Sequence, residues 1–145
     1  MRYKHFMLSK LLVDKWKREK ARQRYTRSDL QDLGNMLRQE ARHPGVLAEQ
    51  AIKELDTHRH QYKRIVFDGI RNLGEVETLR ERFGLRFYLF ALESPASDRW
   101  KRLERIYIAQ GKGIDDFTVE SERDRDQEDP FGQQVQLCVD QADVL

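Results

Sequence analysis

The stretch RIVFDGIRNLGE, residues 64–75, decides the fold of this chain of 145 residues. Residues 64–67 form a short, mostly apolar run, which is typical of a strand buried on both faces of a parallel sheet. Asp68 follows this run, and Asn72 with Glu75 three residues later predicts the capping box of a helix. We therefore expect a strand, a turn and a helix in succession.

The segments on either side predict more strands and helices in alternation. An extended run at residues 3–8 leads to Ser9, which predicts a helix N-cap, and Ser28 predicts a second N-cap. Downstream, residues 86–92 predict a second buried strand, and Ser94 starts the helix after it. Further elements are expected to begin at Pro44, Val135 and Ala142.

This order of apolar strands and helices favours an α/β fold, in which helices cover both faces of a parallel sheet. A chain of 145 residues is long enough for one such domain, residues 1–145, but not for two. Ligands of parallel sheets bind beyond the carboxyl ends of the strands. We therefore expect the functional edge of the sheet to include Asp68 and Glu93.

The composition, 39% hydrophobic and 36% charged, is typical of a soluble protein. The chain has no apolar run long enough for a membrane span, and its single cysteine, Cys138, excludes a cysteine-based metal cluster and favours a reducing cytoplasm. Residues 1–64 hold 16 Lys and Arg against 8 Asp and Glu, whereas residues 65–145 hold 11 against 17. This asymmetry fits phosphate binding by the first half, a nucleic-acid surface or ordinary solvated helix faces.

Residues 69–76 have the Gly-x4-Gly spacing of a phosphate loop between a strand and a helix. A Walker A loop continues with Lys, which reaches the phosphates, and with Ser or Thr, which binds the metal ion. Glu75 and Val76 stand at those positions here, and a glutamate repels a polyphosphate. We therefore exclude this segment as an ATP-binding loop.

Charged residues that follow the two predicted strands are the candidate site residues. Asp68 is placed to bind Mg²⁺ or a substrate group, and Arg71 to bind a phosphate. Arg99 and Arg102 recur at three-residue spacing on one predicted helix, which favours a phosphate-facing lid. Each has a structural alternative, because Asp68 can cap a turn and the arginines can form a solvated face.

Residues 65–75 resemble the vvDGIRnxgEv segment of P-loop deoxynucleoside and nucleoside monophosphate kinase-like proteins. Residues 8–9 and 30–38 are similar to the family's upstream LS and LQxxGNxLR elements, and residues 91–102 are similar to its strand and arginine-bearing lid helix. The late positions that also match are Arg123-Asp124 and Ala142-Asp143. Together with residues 132–139, the pattern is most similar to the kinase-like N-terminal domain of anti-phage dCTP/deoxycytidylate deaminases.

The resemblance implies a P-loop NTPase-like three-layer sandwich that lacks its first strand, its Walker A loop and the end of its last strand in this sequence. It implies a helical nucleoside monophosphate region at about residues 9–57 and a lid at about residues 95–129. The implied substrate-binding residues are Arg38, Asp68, Arg71 and Arg99. The implied catalytic residues are Asp68, as a contact of Mg²⁺ or substrate, Arg102 and Arg123.

The function implied by the resemblance is binding of a nucleotide of the dCMP, dCTP or ATP class, with Mg²⁺ as the cofactor of ATP or a dNTP. The domain would have a sensing or regulatory role in an antiviral deaminase, and the full-length protein would form homo-oligomers. The chain alone would show little or no kinase turnover. Zn²⁺ would belong only to a deaminase domain, whose Pro-Cys-x-x-Cys signature this sequence lacks.

Two alternatives to the deaminase-associated domain stay open. The first is a truncated stand-alone nucleoside monophosphate kinase that transfers phosphate from ATP. The second is a nucleic-acid-binding module that uses the basic first half. It is disfavoured because most aromatic residues of that half are placed as core residues: Tyr3, Phe6, Trp16 and Tyr25.

Overall fold

The computed structural model describes residues 3–20, 23–57, 62–109 and 128–144. The elements follow in the order β1 Tyr3–Met7, α1 Leu8–Glu19, α2 Arg27–Ala41, α3 Val46–Asp56, β2 Arg64–Asp68, α4 Leu73–Phe83, α5 Ala96–Ala109 and α6 Val135–Asp140. A 3-10 turn, Gly84–Arg86, follows α4 directly. The chain is therefore an α/β protein.

β1 and β2 form a parallel pair, in register from Tyr3 opposite Arg64 to Met7 opposite Asp68. Parallel neighbours need a crossover connection, which α1, α2 and α3 provide. The pairing brings both carboxyl ends to the same edge of the sheet. At that edge β1 continues directly into α1, and β2 continues into the loop before α4. The prediction of a parallel sheet is confirmed.

Only one face of this sheet is covered by the described residues. Phe6 stacks on Phe67 with ring centroids 5.5 Å apart, and both pack with Leu55 of α3. On the other face, Tyr3 is 66% exposed and Val66 is 50% exposed. The prediction that β2 is buried on both faces is therefore wrong for the described part of the chain, because helices pack against one face alone.

Helix α3 packs against α1, α2 and α4. Leu47 of α3 belongs to the apolar cluster with α1 and α2, and Ile52 packs with Leu79 of α4. The starts of α3 and α4 approach closely because Gly45 and Gly74 lack side chains: a Cβ on Gly45 would lie 2.5 Å from the Gly74 carbonyl oxygen. This packing fixes the loop that precedes α4.

Residues 86–92 do not form the predicted buried strand. In the described residues this stretch makes one parallel bridge, between Phe90 and Val144. Leu89 is buried in the core, whereas Tyr88 and Phe90 are 65% and 66% exposed. The prediction is wrong because burial of both faces needs a neighbouring layer on each side, and the described residues cover only the alternate positions Phe87 and Leu89.

Both predicted serine caps are wrong by two residues. The N-cap of α1 is Met7 rather than Ser9. The N-cap of α2 is Thr26 rather than Ser28, because Thr26 forms a complete capping box with Asp29. The Thr26 hydroxyl accepts a hydrogen bond from the Asp29 amide, and the Asp29 carboxylate accepts one from the Thr26 amide at 2.7 Å.

Helix α5 occupies the first part of the region predicted as a lid, residues 95–129. Residues 110–127 of that region lie outside the described part of the chain. Among the helices that the structure describes, none has the length and hydropathy needed to cross a lipid bilayer.

Candidate functional site

A cleft of about 90 Å³ opens at the carboxyl edge of the sheet. It lies between the start of α1, one face of α2 and the loop after β2, and Leu12 and Leu47 contribute to its apolar wall. The polar side chains that line it are Ser9, Arg27, Gln31, Arg38, Arg71 and Gln133. We call this pocket the Arg38–Arg71 cleft.

Helix α2 supplies a polar stripe to the cleft. Arg27, Gln31, Gly34 and Arg38 are spaced four, three and four residues apart, so that they share one face of the helix. Gly34 leaves room for the guanidinium, because a Cβ there would lie 3.4 Å from Arg38 Nη1. Arg27 and Gln31 were not among the residues predicted from the sequence, although this polar spacing was the signal for them.

The Arg38 side chain is buried, with the residue only 3% exposed. Its Nη2 donates to Glu75 Oε1 at 2.7 Å, and its Nη1 donates to Asn35 Oδ1 at 3.3 Å and to the Phe131 carbonyl at 3.4 Å. Its Nε is buried and has no hydrogen-bond partner among the described residues. One buried donor of a cleft-lining cation is therefore without a partner among the described residues.

The Glu75 carboxylate joins both arginines of the cleft. While Oε1 accepts from Arg38, Oε2 accepts from the backbone amides of Arg71 at 2.9 Å and Asn72 at 3.2 Å. The Asn72 side chain with the Glu75 amide, and the Glu75 side chain with the Asn72 amide, form the capping box predicted here, and Asn72 Oδ1 also accepts from the Gly74 amide at 2.8 Å. The amides at the start of α4 are thus already bonded within the protein.

The segment 130–134 closes over the same loop. Asn72 Nδ2 donates to two carbonyl groups of this segment at 2.9 and 2.8 Å, and the Gln134 amide donates to the Arg71 carbonyl at 2.7 Å. Gln133 Oε1 lies 3.5 Å from Arg71 Nη1. Arg71 is therefore held through its backbone and through its side chain.

The start of α1 differs from the start of α4. Its N-cap, Met7, makes no side-chain cap hydrogen bond, and its first turn has no acidic residue. The first two residues of the helix, Leu8 and Ser9, line the cleft. An uncapped helix N-terminus offers backbone N–H donors and a partial positive charge. Together with two arginines, it makes the cleft suited to an anion.

The structure does not bring Asp68 into the cleft. Its carboxylate is on the open face of the sheet, where Oδ2 lies 3.3 Å from His5 Nε2 and the side chain is 55% exposed. Only its neighbour Gly69 reaches the lining. The sequence analysis missed His5, because this contact depends on the register of β1 against β2.

The arginines of α5 also lie outside the lining. Arg102 Nη2 donates to Ser94 Oγ at 2.5 Å and Nε donates to the Asp98 carbonyl at 3.3 Å, so that its contacts are at the start of its own helix. Arg99 is half-buried and is not among the described lining residues. Arg123 lies outside the described residues. The convergence expected for Arg102 is therefore not seen in the described part of the chain.

Cysteine and metal chemistry find no support in the described residues. Burial raises the pKa of the Cys138 thiol to about 12, the charge of Glu75 adds to this, and Arg38 opposes it. Such a thiol is inert, as expected for a core cysteine. No group of three or more His, Cys, Asp or Glu side chains that could hold a metal ion occurs in the described ranges.

No protein-family model matches the chain. It is similar to UPF0200 proteins of Saccharolobus islandicus and Saccharolobus solfataricus, with 37% identity over 84 residues, which is 57% of this chain and 42% of each relative. A UPF0200 protein of Methanosarcina mazei is 33% identical over 63 residues, 43% of this chain and 32% of the relative. The chain thus spans about two fifths of the length of these Saccharolobus relatives. Their name states no activity.

Proposed function

We propose that the Arg38–Arg71 cleft binds the phosphate group of a nucleoside monophosphate. The observation that carries this proposal is the meeting of an uncapped helix start, at Ser9, with Arg38 and Arg71 in one pocket. Two guanidinium groups and backbone amides are the donors that phosphate prefers. The buried, unpartnered Nε of Arg38 adds a donor that the described protein groups leave unused.

The size and charge of the cleft favour one phosphate group over a chain of three. A volume of about 90 Å³ corresponds to about three water molecules. A whole nucleotide needs more room, so the nucleoside part would lie in the opening of the cleft. Glu75 offsets part of the positive charge of the arginines, which leaves a pocket better matched to a phosphate monoester than to a triphosphate.

The wider proposal is a nucleotide-binding α/β domain of the P-loop monophosphate kinase-like type, with a sensing or regulatory role for a dCMP or dCTP deaminase. A stand-alone monophosphate kinase is the alternative. Asp68 does not fit the expected role of holding Mg²⁺ beside the phosphate, because its carboxylate is on the open face of the sheet, next to His5, and outside the lining of the cleft. Because residues 69–76 lack the phosphate-loop lysine, we expect no ATP-dependent phosphorylation of dCMP by this chain.

Calorimetric titration with dCMP, dCTP, ATP and inorganic phosphate tests the proposal. We expect dCMP to bind and Arg71→Ala to weaken its binding about tenfold or more, because a hydrogen bond to a charged group is lost. Arg86→Ala is the matched control, since Arg86 is exposed on the turn after α4. Failure of the wild type to bind any of the four ligands, or equal binding by both variants, would refute the proposal.

The exposure of two tyrosines favours a second candidate, binding of single-stranded nucleic acid. Tyr3 and Tyr25, expected as core residues, are 66% and 40% exposed. Tyr25 follows the exposed Arg24 in the chain, and Lys17 and Arg18 are further exposed cations of the first half. An exposed aromatic ring beside cations can stack on a base while the cations contact phosphates.

Fluorescence anisotropy with a labelled single-stranded oligonucleotide tests this second candidate. Binding should weaken steeply with salt, and the double variant Lys17→Glu/Arg18→Glu should reduce the slope of log affinity against log salt. Arg71→Ala serves as the control, because it removes a cation of the cleft and none of this surface. Affinity that is independent of salt, or a slope that the double variant leaves unchanged, would reject the candidate.

A further inference from the structure

We infer that Glu75 is the positioning residue of the cleft: its buried carboxylate holds the Arg38 guanidinium and the Arg71 backbone in the arrangement that receives the phosphate. This inference rests on the function proposed above. The Glu75 side chain is 1% exposed and is not among the described residues that line the cleft. It acts through the two arginines.

Each oxygen of the Glu75 carboxylate bonds a different wall of the cleft. Oε1 is bonded to Arg38 Nη2, which comes from α2, and Oε2 is bonded to the amides of Arg71 and Asn72 in the loop after β2. A single rigid group therefore sets the distance between the α2 wall and the loop wall. Neither glutamine nor aspartate reproduces it, because glutamine replaces one acceptor by a donor and aspartate is shorter by one methylene.

The same contact orients the free donor of Arg38. A guanidinium is planar, so that fixing Nη2 on Glu75 and Nη1 on Asn35 and Phe131 also fixes the direction of Nε. That Nε is the buried donor without a partner among the described residues. Without Glu75, Arg38 would have no anionic partner in the described part of the chain and would be free to turn. The expected consequence is a loss of phosphate affinity in a protein that is still folded.

The test compares dCMP affinity, measured by calorimetry, among the wild type, Glu75→Gln and Glu75→Asp, with Glu77→Gln and Glu77→Asp as controls on the exposed side of the same helix. Measurements are made at a temperature where circular dichroism shows each protein to be folded. We expect both Glu75 variants to bind at least about tenfold more weakly, and both Glu77 variants to bind as the wild type does. A purely structural role would lower stability and leave the affinity of the folded molecules unchanged.

The possible outcomes separate this inference from the proposed function. If the wild type binds dCMP and the folded Glu75 variants bind it equally well, the positioning role is refuted and the proposed function stands. If the wild type binds neither dCMP nor inorganic phosphate, the proposed function fails and the inference fails with it. If neither Glu75 variant folds, the Arg38 Nε–H signal in the NMR spectrum of the wild type decides. It should shift when inorganic phosphate is added, and an unchanged signal would refute the inference.

Discussion

The two strand-to-helix junctions at the carboxyl edge of the sheet have opposite designs. At the junction after β2, the Asn72–Glu75 capping box bonds the first amides of α4, and Arg38 pairs with the same carboxylate. At the junction after β1, the chain enters α1 through Met7 without a side-chain cap or an acidic residue in the first turn. We call these the closed junction and the open junction.

The comparison shows that a phosphate-loop-like spacing is not enough to make an anion site. Residues 69–76 have that spacing, yet the amides of Arg71, Asn72 and Gly74 are bonded to protein groups. The open junction has no such motif, yet its start lines the cleft beside two arginines. Which helix start can receive a ligand depends on whether its donors are already used. Glu75→Ala and Gly74→Ala alter the closed junction, and Met7→Ser alters the open junction.

Glu75→Ala should have the largest effect, because it opens the closed junction. It removes the anionic partner of the buried Arg38 and the acceptor of two backbone amides, and breaking a buried ion pair costs about 3–5 kcal/mol. Denaturant unfolding measures the loss, with Glu77→Ala as the control on the exposed side of α4. If Glu75→Ala lowers the free energy of unfolding no more than Glu77→Ala does, Glu75 does not stabilise the closed junction.

Gly74→Ala should be next, because the closed junction packs against the start of α3. A Cβ at Gly74 would lie 2.5 Å from Pro44 Cβ and 2.9 Å from the Gly45 amide nitrogen, and relieving such contacts costs about 1–3 kcal/mol. Gly34→Ala is the matched control, since its Cβ would meet only side-chain atoms at 3.4 Å or more. Thermal unfolding should show destabilisation for Gly74→Ala and none for Gly34→Ala; equal behaviour of the two would refute this prediction.

Local signals in the sequence predicted the closed junction well. The strand at residues 64–67 and the box at Asn72 and Glu75 each depend on neighbours in the chain, and the structure has both features, while the helix expected to begin at Pro44 begins at Val46. The parallel pairing of the strands followed from the order of the elements. Fold class and the cap of α4 could therefore be predicted before any contact was known.

The arrangement of the cleft could not be predicted in the same way. Arg38 and Glu75 are 37 residues apart, and the pairing of His5 with Asp68 spans 63 residues, so that both depend on packing. The sequence also predicted that Asp68 lies with the arginines, because Asp68 and Arg71 are close together in the chain. In the structure, the alternation of side chains along β2 turns Asp68 to the open face of the sheet. An absent cap leaves no motif to find, which is why the open junction was missed.

Met7→Ser should close the open junction. A serine at the N-cap accepts a hydrogen bond from an amide of the first turn and stabilises a helix by about 1 kcal/mol, while the same bond takes a donor from the cleft. We expect stability to rise and dCMP affinity to fall. Chemical denaturation and calorimetry measure the two quantities, with Met36→Ser on the exposed surface of α2 as the control. Affinity and stability that rise together would contradict the assignment of the anion to this helix start.

Asp29→Asn should have the smallest effect, because the capping box of α2 is at the surface. Hydrogen bonds from the Thr26 backbone and hydroxyl lower the pKa of Asp29 below its ordinary value of 3.8. The stabilisation by the carboxylate is therefore complete above that value and is lost as the pH falls through the lower pKa of the folded protein. The free energy of unfolding of the wild type should exceed that of Asp29→Asn at neutral pH, and the difference should shrink in acid below 3.8. Urea unfolding of both proteins across this range, with Glu40→Gln as the control on the same helix, measures it. A difference that persists unchanged in acid would mean that the cap of α2 acts through its shape and not through its charge.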